Sequence, residues 1–255
     1  MARAVGFSDY ASASWLAVRR EASSTVNALG LPRLLPAAGL SGDGLDQIPE
    51  DFYTSDSERG QAMCEGRFAL AGDQLLARDG DDIWSILAPS RTFATRLHGF
   101  GWLRHVIAAP GPDGGAEARR LVDNWIAQFG SWNSFAWSHG VLSSRIMNWL
   151  RCGEALFGDT GEPDKARRAR LRALSRQVRY LKRAISLAND GPVRLRCAVA
   201  LCLSGLCLPR QSGLYKTGIA ALGREVERQI LPDGGHVTRS PRMTMEALID
   251  LVTLR

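Results

Sequence analysis

Two side chains that could do chemistry, His236 and Arg239, lie in a short connection between two predicted helices. Residues 232–235, which read Pro-Asp-Gly-Gly, end the first helix, and Ser240 and Pro241 begin the next as N-cap and first helical residue. A histidine can carry a proton near neutral pH, and an arginine can hold an anion with its planar fork. We therefore expect this loop to bind an anionic ligand. The alternative is that His236 caps a helix end and Arg239 pairs with a surface carboxylate.

A second group of candidates comes from the middle of the chain. Arg145 and Asn148 are three residues apart, so on a helix they share one face and could meet a carboxylate together. Alternatively, Arg145 anchors neighbouring backbone. Six of the seven tryptophans lie between residues 84 and 149, where Trp132 and Trp137 flank a loop. Tryptophan packs well against sugar rings, so these two are candidate sugar platforms; the alternative is that the tryptophans fill helix interfaces.

The formal net charge of the chain is +6, and much of the basic surplus lies in one run, residues 165–183. Apolar residues recur at helical spacing through this run, so the arginines occupy the opposite face of a helix. No aromatic or glycine-rich recognition element accompanies the charge, and we expect no nucleic-acid partner. A solvated helix face explains the pattern. The positive field of these arginines would also attract an acidic polysaccharide.

Composition excludes several classes of protein. Hydrophobic residues make up 45% and charged residues 23% of the chain, as in ordinary globular domains. No apolar run approaches the ~18 residues of a membrane span, and the N-terminus has no signal-peptide pattern. The five cysteines are an odd number, which favours buried thiols in a reducing compartment over disulfides. We expect a cytoplasmic protein with no metal and no cofactor.

Hydrophobic periodicity and turn residues predict a mainly α protein. One amphipathic helix is predicted over 10–29, irregular wrapping over 31–62, and a small β hairpin near residues 64–87. Antiparallel helical hairpins follow, with helices at 91–109, 117–129, 138–157, 165–188, 193–208, 213–231 and 241–255. The predicted core comprises Trp102, Leu103, Trp125, Ile126, Ile146, Trp149, Leu174, Leu181, Leu201, Leu206, Ile219, Leu222, Leu248 and Ile249.

Several spaced motifs together resemble the heparinase II/III-like proteins. These are residues 68–72, Trp84, the run Leu-His-Gly-Phe-Gly-Trp-Leu-Arg at 97–104, Trp125-Ile126, Trp137, residues 145–149 and the pattern Asp-Gly-Gly-His…Arg-Ser-Pro at 233–241. The resemblance covers about residues 60–255. It implies an (α/α) toroid at 63–255, preceded by a segment at 1–62. The family's C-terminal β-sandwich is absent from this chain, which we therefore expect to be truncated at its C-terminal end.

The resemblance implies a polysaccharide lyase that acts on uronate-containing chains by β-elimination. The lyases carry an Asn-His pair near the position of Pro192 and Val193, where neither residue can serve; Asn189 is the nearest carboxamide. They also carry Tyr-His where this chain has Met243 and Thr244. His236 is retained and is the tentative catalytic residue. We therefore expect this polypeptide alone to be inactive as a lyase.

Two functions follow from the resemblance. The first is the N-terminal domain of a lyase whose parent cleaves an acidic glycan; the alternative is a catalytically degenerate glycan-binding or structural toroid. Either implies an acidic polysaccharide or oligosaccharide as partner, bound by the residues named above. Apolar side chains of the last helix, among them Met245 and Leu248, would lie on an exposed toroid face, so we also expect self-association.

Overall fold

The computed structural model describes Glu21 and residues 44–78, 80–111 and 114–255, in which ten α-helices accompany one two-stranded sheet. The strands are β1 (Arg67–Leu70) and β2 (Asp73–Leu76). The helices are α1 (Ser57–Cys64), α2 (Arg91–Gly99), α3 (Leu103–Ile107), α4 (Gly114–Phe129), α5 (His139–Arg151), α6 (Gly153–Phe157), α7 (Asp164–Ala184), α8 (Pro192–Cys207), α9 (Ser212–Gln229) and α10 (Pro241–Val252). A 3₁₀ turn, Ile185–Leu187, continues α7.

The β hairpin lies within the predicted range of 64–87. Its antiparallel strands pair Arg67 with Leu76 and Leu70 with Asp73. The connecting residues Ala71 and Gly72 both have positive φ, 57° and 90°, as a two-residue hairpin turn requires. Phe68 and Leu70 on β1 are buried and the alternate residues are exposed, so one face of the hairpin packs on the helices.

The predicted helix at 91–109 is broken into α2 and α3 at Phe100. This residue adopts the left-handed conformation, with φ of 60°, and its ring is fully buried. A left-handed conformation is costly for a residue that carries a β-carbon. The ring lies against Trp84, Trp102, Trp125 and Trp149 at centroid distances of 5.3–5.9 Å. Tertiary packing of the aromatic ring thus outweighs the local backbone cost.

The N-terminal predictions are tested only in part. Apart from Glu21, the helix predicted over 10–29 lies outside the described residues, as do residues 31–43 of the predicted wrapping segment. Residues 44–56 have no regular secondary structure, as expected, but α1 begins at Ser57 and was not predicted. Its N-cap is Asp56, which accepts from the amide of Arg59 at 3.0 Å. The proposed boundary between residues 62 and 63 falls inside α1.

The core lies between α5 and α8, with α2, α7 and α9 packed around them. Most of the predicted core residues are buried, but the prediction was wrong for Ile219 and Leu248, which are 44% and 52% exposed. Both lie on the outward sides of the last two helices, α9 and α10. Exposed Met245 and Leu248 on α10 agree with the predicted apolar face, while self-association through it stays a prediction.

Helices α8 and α9 approach each other closely at two glycines. A β-carbon on Gly205 would lie 2.3 Å from the amide nitrogen of Tyr215, and one on Gly218 would lie 2.6 Å from that of Cys202. Both contacts are shorter than real β-carbons make, and the opposing atoms are backbone. The two helices therefore pack with backbone against backbone at these points.

Candidate functional site

A cleft of about 870 Å³ opens among α2, α3, α5, α8 and α10. Six arginines line it, whereas Glu246 and Asp250 are the acidic residues of its wall. The arginines are Arg59, Arg91, Arg96, Arg104, Arg151 and Arg196. Guanidinium groups thus outnumber carboxylates three to one in this wall. Such a concave surface with one dominant sign of charge concentrates the field and attracts anions.

The segment 44–56 forms one side of the cleft and is held at three points. The amide of Asp46 donates to the carbonyl of Cys207 at 2.8 Å, at the end of α8. Asp51 accepts from the Nη1 atom of Arg104 at 2.6 Å. The amide of Asp56 donates to Nδ1 of His105 at 2.9 Å. This segment therefore spans from α8 to α3, and we call it the strap.

Arg104 on α3 is the best-connected cation of the cleft. Its Nη2 atom donates to Oδ1 of Asn148 at 2.9 Å, and its Nε atom donates to the carbonyl of Gly101 at 3.1 Å. Its side chain is only 9% exposed, and it lies beneath the ring of Tyr53 with 4.7 Å between the guanidinium carbon and the ring centroid. These contacts hold the guanidinium plane of Arg104 in one orientation, in which it also forms an ion pair with the carboxylate of Asp51.

Tyr53 of the strap packs between two arginines. Arg151 lies on α5, and its guanidinium carbon is 5.4 Å from the Tyr53 ring centroid. The guanidinium group of Arg104 makes the second contact with the Tyr53 ring. Burial raises the pKa of Tyr53 above its usual value near 10, and the neighbouring Asp250 carboxylate raises it further. The phenol therefore keeps its proton at neutral pH and cannot act as a base there.

Helix α10 supplies carboxylates that balance part of the charge. Arg151 donates to Asp250 at 3.1 Å and to Thr253 at 3.0 Å. Arg196 on α8 pairs with Glu246 at 3.0 Å and with Asp250 at 3.4 Å. The Nε atom of Arg151 is buried without a hydrogen-bond partner among the described residues. An unsatisfied buried donor is costly, and a ligand oxygen would relieve that cost.

Arg59, Arg91 and Arg96 are the exposed cations of the cleft, and Arg91 and Arg96 lie together on α2. Neither has a carboxylate within salt-bridge distance in the described part of the chain. The guanidinium carbon of Arg91 lies 6.0 Å from the ring centroid of Phe135. The N-terminus of α5, where Ser138 makes no side-chain cap, also faces the cleft and adds partial positive charge. This end of the cleft has the strongest uncompensated positive field.

His105 is the histidine that lines the cleft, and its bonding limits what it can do. Because its Nδ1 atom accepts the amide hydrogen of Asp56, the neutral ring carries its proton on Nε2. Burial lowers the pKa of His105, and the Arg59 and Arg104 cations lower it further. At neutral pH the ring is thus uncharged, and its one basic nitrogen is already engaged. It can donate a hydrogen bond but is poorly placed to accept a proton.

Of the residues singled out from the sequence, Asn148 lies in the cleft. Its Nδ2 atom donates to the carbonyl of Gly99 at 2.8 Å and its oxygen accepts from Arg104. Arg145 shares the helix but is fully buried beneath the cleft, so the two do not meet a ligand together. Arg145 anchors neighbouring backbone, as the alternative predicted: it donates to the carbonyls of Ala136 and His98 at 2.8 and 3.1 Å.

The tryptophans act mainly as packing residues. Trp137 is buried, its indole nitrogen donates to the carbonyl of Phe129 at 2.8 Å, and it does not line the cleft. Trp132 is half-buried and its indole nitrogen lies 3.4 Å from the hydroxyl of Tyr180 on α7. Asn189 is exposed in the turn after α7 and also lies outside the cleft. A binding role for Trp137 or Asn189 gains no support from these positions.

The loop between α9 and α10 also lies away from the cleft. His236 is completely buried; its Nδ1 and Nε2 atoms lie 2.8 Å from Thr238 Oγ1 and 3.2 Å from Gln229 Oε1. Arg239 is exposed and forms an ion pair with Asp233 of the same loop. The pairing of Arg239 with a surface carboxylate matches the structural alternative, whereas the His236 ring contacts the side chains of Thr238 and Gln229 instead of capping a helix end. The predicted helix start is confirmed: Ser240 accepts from the amide of Met243 at 3.4 Å.

Among the cleft residues that sequence reasoning missed are Tyr53, Arg151 and Arg196, and Asp51 at the edge of the cleft was missed as well. The strap residues lie in an irregular segment that carries no periodic signal. Arg151 had a signal, since it follows Asn148 by three residues on α5. Arg104 was the last residue of the motif at 97–104 but was not singled out.

Two further observations concern metal ions and membranes. Among the described residues there is no group of three or more histidine, cysteine or acidic side chains placed to ligate a metal ion. None of the described helices combines the length and apolar character needed to cross a bilayer.

Comparisons with known proteins bear on the fold. No family model matches the chain. FtsZ-localized protein C of Caulobacter vibrioides is 35% identical over 246 residues, which is 94% of this chain and 42% of that protein. This chain therefore spans less than half the length of that relative.

Two crystal structures share the architecture. Heparinase III superposes with a TM-score of 0.64 at 18% identity, over 87% of this chain and 35% of that one. A mutant of the heparan sulfate lyase HepC from Pedobacter heparinus gives 0.59 at 20% identity, over 98% of this chain and 40% of that one. Identities this low establish the fold alone. The predicted (α/α) toroid is thereby confirmed, and the chain has a polysaccharide lyase-like fold.

Proposed function

We propose that this chain binds an acidic polysaccharide or oligosaccharide in the basic cleft and does not cleave it. The observation that carries the proposal is the arginine-rich wall, with six guanidinium groups against two carboxylates. The likeness to heparinase III and a heparan sulfate lyase supports a glycan as the anion. A carboxylate, that of Asp51, already pairs with Arg104 at the edge of the cleft.

Arg104 and Asn148 would hold a uronate carboxylate together. The guanidinium fork suits a carboxylate because two parallel N–H groups meet its two oxygens. Asn148 fixes the fork from behind through the 2.9 Å hydrogen bond to Nη2. A ligand carboxylate would replace Asp51, while Arg91 and Arg96 would attract the next acidic groups along the glycan chain. The hydroxyl-bearing residues Thr92 and Ser144 of the wall would meet sugar hydroxyls.

Elimination would need a base beside the uronate, and the described cleft offers none that is ready. β-Elimination requires neutralisation of the carboxylate, removal of the adjacent proton and protonation of the leaving oxygen. Arg104 could meet the first requirement. The raised pKa of Tyr53 and the engaged Nδ1 atom of His105 argue against either as base. We therefore favour a binding role for this chain over the lyase role of the first hypothesis.

A direct titration tests the proposal. We expect uronate oligosaccharides to bind, measured by isothermal titration calorimetry, and a neutral oligosaccharide of equal length not to bind. We also expect no increase in the ultraviolet absorbance that an unsaturated uronate product would cause. Formation of that product would show instead that the chain is a lyase. Equal affinity for neutral and acidic sugars would reject the basic cleft as the determinant.

A second candidate function is supported by the relative from Caulobacter vibrioides. The name of that protein states that it is localised to FtsZ, and the 35% identity extends over 94% of this chain. We propose that this chain also localises to FtsZ. A fluorescent fusion imaged together with labelled FtsZ should show coincident signals, whereas a diffuse signal would contradict the proposal. The Arg104→Ala variant, imaged in parallel, would report whether the cleft takes part.

A further inference from the structure

The positive charge of the chain is concentrated in α7. This helix carries nine basic residues and one acidic residue. The whole chain has 32 basic and 26 acidic residues, so the remainder holds 23 and 25 and has a formal charge of −2. The net charge of +6 therefore arises entirely from one helix of 21 residues.

Six of these basic residues form a single row on α7. Successive members are three or four residues apart, which places them on one helix face. The row, which we call the α7 basic face, consists of Lys165, Arg168, Arg172, Arg176, Arg179 and Arg183. It extends over about 27 Å, given the rise of an α-helix. The opposite side of α7, with Leu174, Val178 and Leu181, is buried in the core.

At the N-terminal end of α7, one acidic residue pairs with two of the arginines. Asp164 pairs with Arg167 and Arg168 at 2.7 and 3.0 Å. Arg172 and Arg183 are exposed, and no carboxylate in the described part of the chain pairs with either. Partial burial lowers the pKa of Arg179, and the neighbouring Arg183 cation lowers it further. Like charges in a row repel one another, so an anion along this face would be stabilising.

The far end of α7 is joined to the cleft by the segment 130–139. Trp132 lies against Tyr180, and the Nε2 atom of His139 is 2.9 Å from the carbonyl of Ala184, the last residue of α7. Phe135 and Ser138 of the same segment line the cleft. The segment 130–139 therefore connects the C-terminal end of α7 to the rim of the cleft.

We infer that the α7 basic face is a second binding surface for an acidic polysaccharide, outside the cleft, which engages chains too long for the cleft alone. The inference rests on the proposed function. Arginine forks match carboxylate and sulfate groups, and a linear row matches a linear polymer. The buried apolar side of α7 cannot insert into a bilayer, and no exposed aromatic side chain on the row could stack with bases.

The test compares a short and a long uronate oligosaccharide from the same polymer. We expect the unchanged protein to bind the long chain more tightly, because the second contact is intramolecular once the cleft is filled. The combined variant Arg172→Gln, Arg179→Gln and Arg183→Gln should bind the long chain about tenfold more weakly while its affinity for the short chain stays the same. Binding of the long chain should also depend more steeply on salt than that of the short chain.

A matched variant controls for the change in net charge. Arg210→Gln, Lys216→Gln and Arg224→Gln remove three exposed cations on or beside α9 and should leave both affinities unchanged. If the α7 variant binds long and short chains as the unchanged protein does, the inference is wrong and the proposed function stands. If only the long chain binds, and only through α7, the cleft proposal fails instead.

Other polyanions complete the test. Vesicles containing phosphatidylglycerol and a single-stranded RNA of matched charge serve as probes of the same variants. Tighter α7-dependent binding of either than of the long uronate chain would overturn the assignment to polysaccharide. Circular dichroism of each variant should match that of the unchanged protein, because the substituted side chains are on the surface and glutamine is a good helix former.

Discussion

Replacing Arg104 with alanine should lower the affinity for a short uronate oligosaccharide by about ten- to a hundredfold. The guanidinium is oriented by Asn148 and by the carbonyl of Gly101, so it meets an incoming carboxylate without further ordering. Charge-assisted hydrogen bonds of this kind contribute about 1.5–3 kcal/mol. Calorimetric titration at constant ionic strength measures the change. Lysine at this position should restore only part of the affinity because it lacks the fork.

The Asp51→Asn variant should change the same affinity in the opposite direction. In the unchanged protein the Asp51 carboxylate lies 2.6 Å from Nη1 of Arg104. We place the ligand carboxylate at the same position, so the two carboxylates compete for Arg104. Removing the charge should strengthen binding by about three- to tenfold. If Asp51→Asn weakens binding while the strap remains folded, Asp51 supports the site and does not compete for it. Unchanged affinity in Arg104→Ala would remove Arg104 from the site altogether.

Replacing Arg145 with alanine should lower the free energy of unfolding by about 3–5 kcal/mol. The side chain is fully buried, donates to Gln177 at 2.6 Å and to two backbone carbonyls, and its guanidinium carbon lies 4.1 Å from the Trp125 ring centroid. Alanine would leave these acceptors unsatisfied and open a cavity between α5 and α7. Urea denaturation followed by circular dichroism gives the value.

Methionine at position 145 is the informative companion variant. It fills much of the volume without a charge, and burial strongly lowers the pKa of Arg145, which shows that the charged form is disfavoured there. We therefore expect Arg145→Met to be less destabilising than Arg145→Ala. Arg239→Ala, on the surface, should leave the denaturation midpoint unchanged. A loss below about 1 kcal/mol in Arg145→Ala would contradict its role as an anchor.

The helical part of the fold was predictable because its signals are local. The stripe of Leu174, Val178 and Leu181 identifies α7, and the Ser240-Pro241 pair marks the start of α10 correctly. The break at Phe100 was not predictable, because besides Trp102 it depends on three tryptophans distant in sequence, Trp84, Trp125 and Trp149. Leu248 on the 12-residue helix α10 was assigned to the core on periodicity alone, and periodicity does not say which apolar face of a helix packs against a partner.

The site was less predictable than the fold. The loop with His236 and Arg239 has the residue types of a binding site, yet its side chains satisfy one another locally. The actual cleft joins Arg104, Arg151 and Tyr53, which are up to 98 residues apart in the sequence. Neither spacing nor periodicity relates them. The antiparallel packing of the helices and the path of the strap bring these three residues together.

The close approach of α8 and α9 has a consequence for motion. With backbone packed on backbone at Gly205 and Gly218, neither helix can slide or rotate against the other without collision. The wall that carries Arg196 is therefore the more rigid side of the cleft. Any widening of the cleft to admit a sugar chain must come from the other side, where the strap is held by a few hydrogen bonds. We therefore expect the cleft to widen for a ligand on the side of the strap and not on the side of α8 and α9.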